Sequence, residues 1–274
     1  MVFDGNDLRI GTGPPRHEIP VPSGLRSVVG GARTRAVWVN QIGGVTFELT
    51  GDGRRRFLKW APAGSGLDLS AEAARMQWVS AFAVVPRVVE YGDDADGSWL
   101  LTEALAGESA VANRGKVDPA TAVAAIGVGL RRLHDSAPVE QCPFTWSAQE
   151  RLARAHVHAE QGRLDPNAWH REHRHLSVEQ ALNALAEPPH VDGAVVCHAD
   201  ACSPNTIVAD DGSFAGHVDL GSLGVADRWA DLAIATWSAT WNYGAGWEEH
   251  LLDAYGIAAD QERTCYYRLL WDLT

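Results

Sequence analysis

The chain has 274 residues, of which 46% are hydrophobic and 21% charged, which is typical of a folded globular protein and excludes a disordered one. Its formal net charge of −12 disfavours a nucleic-acid partner, because phosphate backbones would be repelled. No apolar run has the length of a membrane span, and the N-terminus has no signal-peptide pattern. We therefore expect a cytoplasmic protein with no membrane partner.

The front of the chain is dominated by strand-like patterns. The prolines and glycines of residues 1–25 predict a loosely ordered lead-in. Hydrophobic and polar residues then alternate within residues 35–60, and glycines interrupt the alternation as they do in β-hairpins. Two more strand-like runs, residues 87–91 and 99–102, complete the predicted sheet.

One helix is predicted within this front part, over residues 67–82. Ser70 is the expected N-cap, because its hydroxyl could accept a backbone N–H of the first turn. Apolar residues at fourfold spacing predict the buried stripe of this helix: Ala74, Trp78 and Phe82.

The rear of the chain is mainly helical. Helical patterns cover residues 120–134, 149–161, 178–186, 228–241, 246–255 and 259–271, and a strand–loop–strand segment lies at 194–219. We therefore predict an α+β fold with two lobes. Its small antiparallel lobe with one main helix would span residues 26–103. A hinge at 104–108 would lead to the mainly helical lobe at 109–274.

The segment from Val195 to Gly221 carries the clearest chemical motif. It reads H-x-D-x-x-x-x-N followed by D-x-G, a pattern typical of kinase-like phosphoryl transfer. Asp200 can orient an acceptor hydroxyl and accept its proton, whereas Asn205 and Asp219 offer oxygens to Mg²⁺. His198 is expected to brace the loop. The competing interpretation is a surface hairpin rich in turn residues, but apolar strands flank each motif residue.

Three further features could bind a nucleotide. Lys59 ends a strand, and Glu72 in the next helix could orient it toward the α- and β-phosphates. The turn at Gly43 and Gly44 could donate backbone N–H groups to phosphates, although a plain hairpin explains both glycines. Glu103 and Leu105 lie where the backbone could hydrogen-bond an adenine.

A histidine-rich stretch suggests a metal cluster at first: His156, His158, His170, His173 and His175. Its spacing matches no tetrahedral site, and arginines interleave it. We expect instead an exposed, titratable face.

These motifs resemble those of the aminoglycoside phosphotransferase family, and most closely those of its 3′- and 3″-phosphotransferases. The resemblance is carried by VVCHADACSPNTIV, FAGHVDLGSLGVADRWADLAIAT, YGI, YYRLLWDL, HDSAPVEQCPF and WLLTEALAG. It implies a protein-kinase-like fold, ATP or GTP as phosphate donor, Mg²⁺, and a small, often cationic, antibiotic as the acceptor. It also implies that Asp231 braces the catalytic loop and that Asp227 is the N-cap of the following helix.

Several positions depart from the family pattern. The family usually has glycine at the position of Ala199. The acidic C-terminal cluster is reduced to Asp272, and the acceptor-side helix carries Trp237 and Trp241. The candidates for acceptor contact are Asp227, Trp237, Trp241 and Asp272. The two tryptophans could equally be core residues.

Two alternative functions stay open from the sequence. One is a kinase of the same fold with another acceptor, such as a sugar, an amino alcohol or a macrolide. The other is a nucleotide-binding pseudokinase, for which the alanine at position 199 and the weak phosphate loop argue. The sequence leaves the choice between a monomer and a homodimer undecided.

Overall fold

A computed structural model describes residues 13–40, 42–51, 53–112 and 115–274. Within these ranges the backbone contacts divide the chain into two compact units. The first comprises Met1–Ala81, as far as described, and Val85–Leu105; the second comprises Phe82–Val84 and Ala106–Thr274.

An antiparallel sheet forms most of the first unit. Its strands, as far as the chain is described, are β1 (Arg33–Val39), β2 (Val45–Thr50), β3 (Arg56–Pro62), β4 (Val88–Asp93) and β5 (Gly97–Glu103), in the order β1-β2-β3-β5-β4. In β2 alternate side chains are buried, which is the pattern expected where one face of a sheet covers a core. That core includes Phe47, Leu49 and Leu58, and each is at most 1% exposed.

Two helices accompany this sheet: the single turn α1 (Arg26–Val29) and α2 (Leu69–Val79). The predicted N-cap of α2 is wrong, because Asp68, not Ser70, accepts the backbone N–H of Ala71 at 2.8 Å. The predicted buried stripe is also wrong, since Ala74 is exposed. The buried face instead comprises Leu69, Glu72, Ala73, Met76 and Val79, so it includes a carboxylate.

The second unit contains the remaining elements. Its helices are α3 (Pro119–Ser136), α4 (Ala148–Glu160), α5 (Val178–Leu185), α6 (Trp229–Tyr243), α7 (Glu248–Tyr255) and α8 (Gln261–Leu273). Its strands are β6 (Glu108–Ser109), β7 (Ala194–Cys197), β8 (Thr206–Val208), β9 (Phe214–His217) and β10 (Gly224–Asp227). β7 pairs with β10, and β8 pairs with β6 and β9, all antiparallel.

Helix α6 is the central element of the second unit. Its residues from Trp229 to Ala239 are all buried, so this helix is enclosed on every side rather than along one stripe. It packs against α3, α7 and α8. A helix enclosed in this way gives a rigid support for loops that hydrogen-bond to it.

The predicted lead-in and hinge stay predictions, but the described residues add detail. Gly13 bridges to Val39, and Leu25 is 1% exposed within the core of the first unit. The backbone N–H of His217 donates to the carbonyl of Val84, which ties the short Phe82–Val84 segment to the second unit. None of the described helices is both long enough and apolar enough to cross a bilayer.

Candidate active site

The H-x-D motif lies on the loop between β7 and β8. His198 and Ala199 follow β7 directly, and a 3₁₀ turn at Ser203–Asn205 leads into β8. Ala199 has φ 69° and Asp219 has φ 65°, the two positive values among non-glycine residues of the described chain. An L-residue rarely adopts this left-handed conformation, and strained residues of this kind cluster at functional sites.

Asp200 carries the chemically distinctive group of this loop. Its Oδ1 atom is buried and has no hydrogen-bond partner among the described residues. Burial and the nearby charge of Asp219 raise the pKa of the Asp200 carboxyl. An unpaired buried carboxylate oxygen is costly for folding, so it is retained where an incoming group uses it.

Asn205 and Asp219 provide the oxygens that a divalent cation would need. The amide nitrogen of Asn205 donates to the backbone carbonyl of Asp200 at 3.0 Å, which leaves the amide oxygen as its possible metal ligand. The backbone N–H of Val218 donates to the carbonyl of Asn205, so the two segments are joined beside Asp219. Because Asp219 and Asp200 repel each other, Mg²⁺ fits this oxygen set and would relieve the repulsion.

Asp231, in the first turn of α6, holds the catalytic loop in place. Its two side-chain oxygens accept the backbone N–H groups of His198 at 2.6 Å and Ala199 at 2.8 Å. Burial would raise the pKa of Asp231, but the hydrogen bond from His134 and nearby histidines lower it. The side chain of His198 spans the loop, with Nε2 3.0 Å from the carbonyl of Val218.

Lys59 and Glu72 meet in the first unit. Lys59 lies on β3 and Glu72 on the buried face of α2, and their side chains form an ion pair of 2.6 Å between Nζ and Oε1. The Glu72 side chain is 6% exposed and the Lys59 side chain 26%. The helix thus fixes the acid, while part of the Lys59 side chain still faces solvent.

The backbone N–H groups of Gly43 and Gly44 already donate hydrogen bonds within their own turn. Asn40 Oδ1 accepts the N–H of Gly44 at 2.6 Å, and the Asn40 carbonyl accepts the N–H of Gly43 at 3.3 Å. Both N–H groups therefore already have acceptors in this conformation, and the role of Gly43 and Gly44 in phosphate binding stays a prediction. Gln41, in the same turn, lies outside the described residues.

The predicted adenine-binding backbone has one available donor. The N–H of Glu103 donates to the carbonyl of Arg87, and the Glu103 side chain pairs with the Arg87 guanidinium. Leu105 makes no backbone hydrogen bond within the described ranges, so its N–H can serve a base. This role stays a prediction.

Two of the four candidates for acceptor contact are buried. Asp227 is 3% exposed, and its oxygens accept the backbone N–H groups of Asp192 and Trp229. Trp237 is 2% exposed within α6. The structure corrects both predictions: Asp227 supports the start of α6, and Trp237 is a core residue. Trp241, one turn further along α6, is partly exposed and stays a candidate.

The side chain of Asp272 is hydrogen-bonded to the histidine-rich segment. Its Oδ2 accepts the backbone N–H of His170 at 3.1 Å and lies 2.6 Å from Nδ1 of His173. The side chains of His170 and His173 are only 7% and 12% exposed, and both rings pack against Trp237. The exposed face predicted for this segment is therefore wrong at these two positions, and Asp272 is a structural carboxylate here rather than an open one.

Three residues outside the sequence motifs support this loop, directly or through Asp231. His134 on α3 binds Asp231, and Ser238 on α6 accepts the backbone N–H of Ser203 at 2.9 Å. Tyr255 on α7 binds His134. HDSAPVEQCPF and YGI, two of the segments that resemble the family, contain His134 and Tyr255 and were the available signal. Nothing in the sequence indicated Ser238.

The fold and the order of these groups along the chain are those of a protein-kinase-like phosphotransferase that acts on hydroxyl groups. Residues 28–267 match the model of the phosphotransferase enzyme family. An aminoglycoside 3′-phosphotransferase of Streptomyces fradiae is 36% identical over 220 residues, which are 77% of this chain and 81% of the relative. A streptomycin 3″-kinase of Streptomyces griseus is 35% identical over 240 residues, 80% of this chain and 85% of the kinase. The chain belongs to the aminoglycoside phosphotransferase family.

Solved structures agree with this assignment. The crystal structure of an aminoglycoside 3′-phosphotransferase of type VIII matches with a TM-score of 0.78 at 31% identity, covering 92% of this chain and 97% of that one. A Streptomyces rimosus aminoglycoside phosphotransferase, APH(3″)-Id, in complex with ADP and streptomycin, matches with a TM-score of 0.74 at 32% identity. That match covers 91% of this chain and 95% of the other.

Proposed function

We propose that this protein transfers the γ-phosphate of ATP or GTP to a hydroxyl group of an aminoglycoside, with Mg²⁺ as cofactor. The observation that carries the proposal is the buried Oδ1 of Asp200, which has no hydrogen-bond partner among the described residues, on the loop that also carries Asn205. The segment with Asp219 follows β9 and is joined to this loop by the hydrogen bond from Val218 to Asn205. The 3′- and 3″-phosphotransferases among the relatives supply the acceptor class. The cytoplasmic location and the oligomeric state stay predictions.

Each residue has a separate role in the proposed reaction. Asp200 accepts the proton of the acceptor hydroxyl while the oxygen of that hydroxyl forms a bond to the γ-phosphorus. The bond between the γ-phosphorus and the β,γ-bridging oxygen breaks at the same time. The nucleoside diphosphate leaves with the electrons of that bond. Lys59, held by Glu72, binds the α- and β-phosphates. Leu105 offers its N–H to the base.

Asn205 and Asp219 are the residues that would hold Mg²⁺. The ion would neutralise charge on the donor phosphates, which is its usual contribution to phosphoryl transfer. Asp200 keeps its unpaired oxygen for the hydroxyl proton, because Asn205 and Asp219 supply the metal ligands.

The direct test is release of nucleoside diphosphate in the presence of a panel of aminoglycosides, with the phosphorylated product identified by mass. The panel includes matched pairs that differ only in the presence of the 3′- or the 3″-hydroxyl. We expect turnover with one member of a pair and none with its deoxy analogue. If no aminoglycoside of the panel is phosphorylated under conditions where the nucleotide binds, the proposed acceptor class is wrong.

A second acceptor class is favoured by one observation. Asp272, the carboxylate that remains of the family's acidic C-terminal cluster, is hydrogen-bonded to His170 and His173, whose rings pack against Trp237. A polycation needs several open carboxylates to replace its hydration. A less charged hydroxyl compound, such as a sugar, therefore remains the alternative acceptor, and the same assay with neutral sugars and amino alcohols distinguishes the two. Phosphorylation of the neutral compounds alone would favour this alternative.

A further inference from the structure

A chain of buried polar side chains runs from α7 to the catalytic loop. The hydroxyl of Tyr255 lies 2.8 Å from Nδ1 of His134, and Nε2 of His134 lies 3.0 Å from Oδ2 of Asp231. Asp231 then binds the backbone N–H groups of His198 and Ala199. Tyr255, His134 and Asp231 are 2%, 6% and 0% exposed. We call these three residues the support chain.

The chemistry of the carboxylate fixes the direction of the hydrogen bond between His134 and Asp231. A carboxylate can only accept, so Nε2 of His134 carries the proton that faces Asp231. Burial raises the pKa of Tyr255 to about 12, so its hydroxyl stays protonated in its hydrogen bond with Nδ1 of His134. Loss of the tyrosine hydroxyl would leave a buried ring nitrogen without a partner, which is costly.

The same cluster is not a metal site in this arrangement. Donor atoms of His134, Cys197 and Asp231 lie within 4.8 Å of one another. Nevertheless, the nitrogens of His134 and the oxygens of Asp231 already have hydrogen-bond partners, and the thiol of Cys197 lies 3.3 Å from the carbonyl of Asp227. Burial raises the pKa of this thiol, which keeps it protonated and a poor ligand.

The support chain ends on the strained residue of the loop. Ala199 has φ 69°, where a Cβ is unfavourable, and its N–H is held by Oδ1 of Asp231. Asp200 follows directly, so any relaxation of Ala199 would move the proposed base. Glycine would adopt this conformation at no steric cost, and the loop would then need less external support.

We propose that His134 and Tyr255 are positioning residues for phosphoryl transfer, which act through Asp231 to hold Ala199 in its left-handed conformation and thereby place Asp200. The inference rests on the proposed function. It makes a specific claim about this chain: the support chain compensates for an alanine at a position that requires positive φ.

The first test is the variant Tyr255→Phe, which removes one hydroxyl and keeps the packing. We expect a kcat about 10-fold lower with unchanged KM for nucleotide and acceptor, since small misplacements of a catalytic group lower the rate without weakening binding. Tyr266→Phe is the matched control, because Tyr266 is also buried and its hydroxyl donates to the carbonyl of Leu185, which is not part of the support chain. Its kcat should stay within about 2-fold of the wild type.

The decisive test is rescue by glycine. In the double variant Tyr255→Phe with Ala199→Gly, most of the lost kcat should return, because glycine removes the strain that the support chain opposes. His134→Gln, whose amide can still donate to Asp231, should lose less kcat than His134→Leu. Additive effects of the two substitutions, or an equal kcat loss in Tyr266→Phe, would overturn the inference.

Hydrogen exchange separates this inference from the proposed function. The backbone N–H groups of His198 and Ala199 should exchange faster in Tyr255→Phe and as slowly as in the wild type in Tyr266→Phe, whatever the acceptor is. Unchanged exchange at both positions in Tyr255→Phe would refute the support chain. If the exchange rates change as expected but the wild type shows no turnover, only the proposed function is refuted.

Discussion

At the scale of single residues, Asp200 works against the stability of the protein. Its Oδ1 is buried and has no hydrogen-bond partner in the described part of the chain, and the neighbouring Asp219 charge adds repulsion. Both effects penalise the ionised carboxylate. The proposed reaction needs that same ionised form as the proton acceptor. Replacement of Asp200 should therefore change activity and stability in opposite directions.

The first prediction concerns the variant Asp200→Asn. An amide cannot accept the hydroxyl proton, so kcat should fall by about 10²- to 10⁴-fold, the range found for loss of a general base. Circular dichroism should report an unchanged fold. Asp210→Asn, an exposed residue near the start of the β8–β9 turn, is the control and should retain wild-type kcat. Equal loss in both variants, or no loss in Asp200→Asn, would contradict the assigned role.

The second prediction concerns the pH dependence of stability. The native pKa of Asp200 is raised above that of the unfolded chain, so the ionised group destabilises the fold fully above the native pKa. This penalty decreases as the pH falls through the native pKa and is absent below the unfolded-state pKa. Asp200→Asn should thus melt at a higher temperature than the wild type at neutral pH. The difference should shrink on acidification, as measured by thermal melts across pH. A constant difference, or a lower melting temperature at neutral pH, would show that the carboxylate is not penalised.

At the scale of secondary-structure elements, α2 carries both a structural cap and a proposed functional group. Asp68 closes its first turn by accepting the N–H of Ala71 and the hydroxyl of Ser70. Glu72, one turn later, lies on the buried face and pairs with Lys59. A secure N-terminus therefore supports the orientation of Glu72.

The third prediction separates the two candidate caps of α2. Asp68→Ala should lower the free energy of unfolding by about 1 kcal/mol, the usual cost of a lost N-cap. Ser70→Ala removes only a hydroxyl that donates to Asp68 and should cost less than about 0.5 kcal/mol, as exposed substitutions generally do. Urea denaturation of both variants provides the comparison. A larger loss for Ser70→Ala would restore serine as the cap.

The fourth prediction concerns the ion pair between β3 and α2. Glu72→Gln removes the charge that orients Lys59, so the KM for the nucleotide should rise by about 10-fold with a smaller change in the KM for the acceptor. Glu48→Gln is the matched control. Glu48 lies on β2 of the same sheet and pairs with Arg35 and Arg55. No ligand is proposed for this pair. Similar kinetics for both variants would mean that the Lys59–Glu72 pair is structural.

The sequence predicted the elements well where the signal was local. The strands of the front sheet and the helices of the rear lie close to their predicted ranges, because hydrophobic periodicity and glycine turns act over a few neighbouring residues. The catalytic motif also lies within one loop and hairpin, and its spacing is itself the signal.

Prediction from the sequence failed where a side chain has a partner distant in the chain. Trp237 and Asp272 were candidates for acceptor contact, but they pack or bond with His170 and His173, far away in sequence. Periodicity cannot reveal such pairs. The prediction of the N-cap of α2 failed for a local reason. Asp68 and Ser70 are both good cap residues, and the backbone conformation decides between them.

At the scale of the whole molecule, each unit has its own hydrophobic core and carries part of the proposed machinery. Lys59 and Glu72 belong to the first unit, and Asp200, Asn205 and Asp219 belong to the second. A net charge of −12 makes binding of a nucleotide without a cation unfavourable. Metal dependence should therefore be visible in nucleotide binding itself, before any reaction.

The fifth prediction uses thermal stability to measure that dependence. A ligand that binds only the native state, at about 100 times its Kd, adds about 2.7 kcal/mol, which corresponds to a rise in Tm of about 5–10 °C for a chain of this size. We expect this rise with ADP and Mg²⁺, and most of it should vanish when EDTA removes the metal. Asp219→Asn should lose the Mg²⁺-dependent part, because it loses the anionic ligand, whereas Asp210→Asn should behave as the wild type. A shift of equal size with EDTA would mean that the nucleotide binds without a metal. The oxygens of Asn205 and Asp219 would then need another role.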